Sequence, residues 1–115
     1  MSEAIDTREL PAVITGYLSA HQARDLDREL AYYTEDAVVT DEGKTHRGKK
    51  EIRGWLTRAA SEYTYTTTLV AAHRVDDEHY VAVHHLEGDF PGGVVDLRFR
   101  FTLAGDRITG LVIEP

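Results

Sequence analysis

An alternation near the carboxyl end constrains this chain more than any other feature. Val95, Leu97, Phe99, Phe101 and Leu103 are apolar, while the intervening Asp96, Arg98, Arg100 and Thr102 are polar. Successive side chains of a strand point to opposite faces, so this segment reads as a strand with one face on a core and one face away from it. Such a strand needs partners beside it and a cover over its apolar side. The partners are legible on both flanks. Tyr65-Thr66-Thr67-Thr68-Leu69-Val70, His79-Tyr80-Val81-Ala82-Val83-His84-His85-Leu86 and Ile108-Thr109-Gly110-Leu111-Val112-Ile113 are rich in β-branched and aromatic residues. Asp76-Asp77, Phe90-Pro91-Gly92-Gly93 and Ala104-Gly105-Asp106 supply the turns between them. Consecutive strands with short turns imply an antiparallel meander.

The cover comes from the first half. Leu10, Ile14, Tyr17, Leu18 and His21 recur at helical spacing, which predicts a helix from about Thr7 or Leu10 to Arg24 with Pro11 in its first turn. Asp25 is placed to cap a second, short helix whose apolar face is Leu26, Leu30 and Tyr33. Ala37-Val38-Val39-Thr40-Asp41 reads as a short strand and Asp41-Glu42-Gly43-Lys44 as a turn. A third helix starts near Gly48 and carries Ile52, Leu56, Ala59 and Tyr63 on one face, with Trp55 beside them. The order is α-α-β-α-β-β-β-β, an α+β arrangement with three helices on one side of a mostly antiparallel sheet. At 115 residues the chain is one domain, able to bury roughly two thirds of its unfolded surface around a core and one modest pocket.

Other features remove whole classes of function. No apolar run approaches the roughly 18 residues of a membrane span. Met1-Ser2-Glu3-Ala4-Ile5-Asp6 lacks the basic start and apolar stretch of a secretory signal, so a soluble cytoplasmic protein is expected. With no cysteine there is no disulfide, thiolate nucleophile or thiolate-held metal. A formal net charge of −7 argues against nucleic acid as a partner. Lys44, His46, Arg47, Lys49 and Lys50 form a basic cluster, read as a solvated turn and helix start. Six histidines invite a metal reading, but His84 and His85 are adjacent on a strand and point to opposite faces, and no HExxH spacing exists. No metal and no cofactor are expected. One of His84 and His85 faces the cavity, and a bulge could shift the register between them, so both stay open, with His85 carried among the pocket candidates.

The segments Tyr32-Tyr33-Thr34-Glu35-Asp36-Ala37-Val38-Val39 and His46-Arg47-Gly48-Lys49-Lys50-Glu51-Ile52 carry a resemblance that covers nearly the whole chain. Phe99-Arg100-Phe101-Thr102-Leu103 and Gly105-Asp106-Arg107-Ile108 complete it. The pattern resembles the nuclear transport factor 2-like superfamily with its cystatin-like cone, and within it the SnoaL-like and ketosteroid isomerase-like members. The resemblance implies a strongly bent sheet wrapped round three helices, an apolar pocket open at one end, an apolar small-molecule ligand, and a homodimer joined through the sheet. Fold and activity are separate matters, because this cone hosts isomerases, cyclases, hydrolases, dehydratases and non-catalytic binding proteins.

By the same resemblance, Tyr17 on the first helix matches the tyrosine that donates to the substrate oxygen. Asp41, closing the first strand, matches the carboxylate that moves the proton. The chemistry calls for those residue types. Removing a proton beside a carbonyl builds negative charge on oxygen, which a phenol in a dry cavity stabilises better than water does. A carboxylate within reach of the carbon acid takes the proton. Both residues also have plainer readings: Asp41-Glu42-Gly43 is ordinary turn chemistry, and Tyr17 is equally a core tyrosine. His21, Tyr33, Trp55, Tyr65, His85 and Phe99 are expected to line the pocket. The isomerases' second acid has no counterpart, since counting back from Phe101 puts Leu97 at its place; His21 or a strand histidine is left to replace it.

Two other functions compete. A non-catalytic ligand-binding or dimerisation module uses the same cavity without chemistry. An epoxide hydrolase-like enzyme, similar to the limonene epoxide hydrolase branch, would activate water with Asp96 and Arg98. The alternation aims that pair away from the core and favours a cross-strand ion pair on the far face.

Overall fold

Capping side chains decide where the helices begin. Asp6 and Glu9 form a reciprocal capping box around a short 3-10 turn, Thr7–Glu9, in which the Arg8 backbone N–H donates to the Asp6 carboxylate. Pro11 then stands at the N-cap of helix α1, Ala12–Gln22, so the expected single helix from Thr7 or Leu10 is two elements. Asp25 caps helix α2, Leu26–Ala31, accepting from the Arg28 N–H at 3.3 Å. Helix α3 is Gly48–Glu62. The structure is a computed structural model that describes residues 2–62 and 64–115, with no side-chain description for residues 60–62. Tyr63, expected on the apolar face of α3, lies outside the described residues.

Strands β1 (Glu3–Ile5), β2 (Tyr33–Asp41), β3 (Lys44–Arg47), β4 (Tyr65–Arg74), β5 (His79–Gly88), β6 (Val94–Ala104) and β7 (Arg107–Glu114) form one sheet. Its order is β1-β4-β5-β6-β7-β2-β3. The meander β4-β5-β6-β7 is antiparallel as expected, and β2 joins it in parallel beside β7. Two strands go beyond the expected order. β1 has three residues and β3 has four, too few for periodicity to register. β3 exists because Glu42 and Gly43 both take positive φ (53° and 75°), the geometry of a two-residue hairpin that folds Lys44 back onto Asp41. Tyr33 is also reassigned. Tyr32 ends α2, the Ile108 N–H donates to the Tyr32 carbonyl at 2.7 Å, and Tyr33 becomes the first residue of β2.

The sheet is bent. A register shift between Leu69 and Ala71 in β4, and another between Tyr33 and Val38 in β2, mark bulges, which bend a strand and raise its local twist. The concave face holds the core: Ile14, Tyr17, Tyr33, Val39, Ile52, Phe101, Ile108 and Leu111 are fully buried. Gly16 permits one close approach there, because a Cβ at that position would sit 2.2 Å from the Tyr32 hydroxyl. Among the described residues no helix is long and apolar enough to cross a membrane.

Candidate functional site

Asp41 closes β2 immediately before the hairpin and turns its side chain towards α3. There the Trp55 indole N–H donates to Asp41 Oδ2 at 3.0 Å. Trp55 is itself fixed by burial and by stacking on His46, with ring centres 5.9 Å apart. The fixed carboxylate stands on the wall of a cavity of about 460 Å³ whose other walls include His21, Trp55, Tyr65, Leu97, Phe99 and the Phe90-Pro91 turn. A carboxylate in so apolar a wall has lost part of its water and is held by one indole N–H.

His21 enters the same cavity from the last turn of α1. Its Nδ1 lies 2.9 Å from Oε2 of Glu29, a carboxylate on α2 only 3% exposed. With Nδ1 donating to Glu29, Nε2 is the nitrogen left to meet a ligand. Tyr17, one turn earlier on α1, stacks nearly parallel on the imidazole, with centres 6.1 Å apart and planes at 13°. Glu29 was not foreseen from the sequence. Its burial arises only when the turn at Arg24, held at φ 56°, folds α2 back against the end of α1.

A second cavity, of about 250 Å³, opens between α1 and the strands β4 and β5. His21, Tyr65, Leu86 and Phe99 belong to the walls of both, so the two spaces adjoin. Burial raises the Tyr65 hydroxyl pKa, opposed in part by Arg24, and the phenol stays protonated at neutral pH.

Asp41, His21, Trp55, Tyr65 and Phe99 therefore meet around the larger cavity, and other expected residues do not. Tyr33 does not line it: starting β2, it is driven into the core and is 0% exposed. Tyr17 is equally enclosed, and the Tyr33 hydroxyl donates to its hydroxyl at 2.6 Å. Burial raises both phenol pKa values well above the ordinary 10. Tyr17, fully enclosed, is not on the wall of the larger cavity, where Asp41 stands. His85 is on the wrong face to line the cavity. It bonds Asp96 at 2.6 Å on the convex side, and His84 is the imidazole that faces inward. Asp96 has 66% of its side chain exposed, and Arg98, also exposed, donates to the Pro115 carbonyl on that outer face. The alternation of β6 keeps Phe99 and Phe101 inward, so Asp96 and Arg98 do not face the cavity as a hydrolase pair would need to. Lys49 of the basic cluster pairs with Glu35 at 3.5 Å.

The geometry can be set beside known proteins. A family model described as a SnoaL-like domain matches residues 14–111. No curated protein matches the sequence. Among solved structures, a candidate polyketide cyclase from Sinorhizobium meliloti is 30% identical, with a TM-score of 0.88 over 96% of this chain and 100% of that one. A protein of ketosteroid isomerase-like fold from Catenulispora acidiphila, solved with trimethylamine, is 20% identical, with a TM-score of 0.78 over 91% of this chain and 85% of that one. The Δ5-3-ketosteroid isomerase of a Mycobacterium species is 20% identical, with a TM-score of 0.73 over 90% of each chain. The last two likenesses are of fold.

Proposed function

This chain belongs to the SnoaL-like domain family, and on that premise we propose that it binds an apolar carbonyl compound and moves a proton on it, as in isomerisation, cyclisation or dehydration. One observation carries the reading: Asp41, anchored by Trp55, and His21, anchored by the buried Glu29, stand on the walls of one largely apolar cavity. Asp41 removes the proton from the carbon beside the carbonyl. Charge then builds on the carbonyl oxygen, and His21 stabilises it through an Nε2–H bond while Glu29 balances the imidazolium. Asp41 then gives the proton up: to the product carbon in isomerisation, to the alkoxide formed with the new carbon–carbon bond in cyclisation, and to the departing hydroxyl, which leaves as water, in dehydration. Tyr17, expected from the resemblance to donate directly, instead supports the His21 ring from behind. Apolar walls serve both steps, since each electrostatic contact is stronger where water is excluded. The S. meliloti relative described as a candidate polyketide cyclase agrees with carbonyl chemistry of this kind. The same reading takes the chain as a homodimer, and a monomer mass by light scattering at all concentrations would remove that part.

The test uses 2-tetralone, an enolisable apolar ketone, in D2O. The protein should catalyse exchange of its α-protons, followed by NMR. Asp41→Asn should abolish the exchange while the melting temperature stays near that of the parent. Thermal stabilisation by 2-tetralone without exchange identifies a binding module instead. Exchange at the parental rate in the Asn variant removes Asp41 as base.

A further inference from the structure

The proton transfer assigned to Asp41 and His21 makes no use of His84, another polar side chain of the concave face. His84 lies on β5 with only 6% of its surface exposed, and among the described residues no group bonds its Nδ1. Its ring packs against Phe99 at 4.6 Å and forms part of the wall of the smaller cavity. Across the ladders it faces Leu97 on β6 and Leu69 on β4, so neither neighbouring strand offers a polar partner there. A buried ring nitrogen without a partner is costly, and native proteins seldom carry one unless something else completes it. Here that something must enter through the cavity: water when the site is empty, a ligand atom when it is filled.

The rest of that wall says what kind of atom. Thr15, Ser19 and Thr67 bring hydroxyl groups and Gln22 an amide, while Leu69 and Phe99 are apolar. No carboxylate and no lysine or arginine is part of this wall, and the imidazole of His21, which is, already pairs with Glu29. His84 is itself held uncharged at neutral pH, first by burial and then by His21, with hydrogen bonding to the Ala82 backbone opposing in part, its pKa pushed down to about 4. An uncharged imidazole nitrogen is a donor in one tautomer and an acceptor in the other. A hydroxyl group can be either, and so satisfies Nδ1 in both.

We propose that His84 marks a second subsite, which takes an uncharged hydroxyl group borne on an apolar ring. The subsite adjoins the proton-transfer cavity through His21, Tyr65, Leu86 and Phe99. Resting on the carbonyl reading given above, it narrows the substrate class: a neutral, hydroxylated cyclic ketone, its carbonyl between Asp41 and His21 and its hydroxyl on His84. His84 is then a specificity residue and takes no part in the proton transfer.

The test separates the subsite from the catalysis by using probes with no carbonyl. 2-Naphthol should bind about tenfold more tightly than 2-methylnaphthalene by calorimetry, the worth of one buried hydrogen bond. His84→Phe should bring the two affinities together, and His84→Gln, which keeps hydrogen-bonding capacity, should restore part of the preference. In the unaltered protein the ¹⁵N shift of His84 Nδ1 should move on adding 2-naphthol and stay still with the methyl compound, a readout that needs no variant to fold. Equal affinities in the parent, a preference that survives in His84→Phe, or a silent His84 resonance overturns the proposal. Asp41→Asn should leave the naphthol preference intact. Loss of α-proton exchange with a retained preference therefore sinks the catalytic reading and leaves the subsite standing, and the converse result does the reverse.

Discussion

His84 and His85 are consecutive residues of one strand and live in two different solvents. His84 faces the concave side, loses its water, and has its pKa pushed down to about 4 by burial and by His21. His85 faces the convex side, where hydrogen bonding to Asp96 raises its pKa despite a small opposing loss of water. The same contrast runs along β6. Leu97 and Phe99 wall the cavity, while Asp96, Arg98 and Arg100 spend their charges on His85, the Pro115 carbonyl and Glu114 across the outer face. The lesson is that residue type alone does not mark a site in this fold. A carboxylate on the outer face is an exposed ion-pair partner; one at the lip of the inner face, as Asp41 is, can do chemistry.

The largest effect expected is the one that separates those carboxylates. Asp41→Asn should lower exchange of 2-tetralone α-protons by about 10³-fold, the loss that follows removal of a general base. Asp96→Asn, on the convex face, should leave the rate within about twofold of the parent, since Asp96 touches neither cavity. Equal losses in both would erase the distinction between the faces.

Next in size is the dependence of stability on pH. Burial holds His84 below its ordinary pKa of 6.5, so between that value and about 4 the unfolded chain binds a proton that the folded chain refuses. The stability contributed by a neutral His84 is therefore complete above pH 6.5 and is lost as pH falls through this window, by about 3 kcal/mol in all. His85 has the opposite sign: its contribution is present at low pH and fades as pH rises through its raised value. Denaturant midpoints at pH 4.5 and 7.5 should differ less in His84→Phe than in the parent. An unchanged difference in that variant would show that the inner imidazole is wetter than its burial indicates.

How much of this was legible beforehand follows from the same two faces. The alternation of β6 was plain because its two sides differ in polarity, and it placed Phe99 inward and Asp96 outward correctly. β5 gave no such guide. Tyr80, Ala82 and Leu86 share one parity and Val81 and Val83 the other, so apolar residues occupy both sides and the phase of His84 and His85 stays hidden. The partner strand settles it, by pairing His84 with Leu97 and His85 with Asp96. Tyr33 was misread for a related reason. Leu26, Leu30 and Tyr33 keep helical spacing, but the hydrogen bond from Ile108 to Tyr32 that ends the helix comes from the far end of the chain. Glu29 was invisible because its burial against His21 depends on the packing of α1 on α2, which spacing along one six-residue helix does not encode. Asp41 and Trp55 were legible as site candidates. Their mutual hydrogen bond, which orients the carboxylate, was not.

Tyr17→Phe sharpens the comparison from within the concave side, because it asks how deep that side is chemically active. Removing the hydroxyl leaves the Tyr33 hydroxyl, fully buried, without its partner, and should cost about 1–3 kcal/mol of stability. Turnover of 2-tetralone should stay within a few-fold of the parent, since Tyr17 is fully buried and off the wall of the larger cavity. A fall of about 10²-fold or more, the signature of a lost oxyanion donor, would bring Tyr17 forward as the direct donor and demote His21.

The smallest effect isolates the convex face. Asp96→Asn removes the carboxylate to which His85 bonds at 2.6 Å, in a pair open to water on both sides. Exposed pairs contribute little, so the melting temperature should move by less than about two degrees. The NMR titration of His85 should nevertheless fall back towards 6.5, because the hydrogen bond that raised it is gone. His84, the next residue in the chain, should titrate as before, near 4. If both resonances shift together, the sheet transmits charge between its faces, and the separation on which the site assignment rests is weaker than the burial of His84 implies.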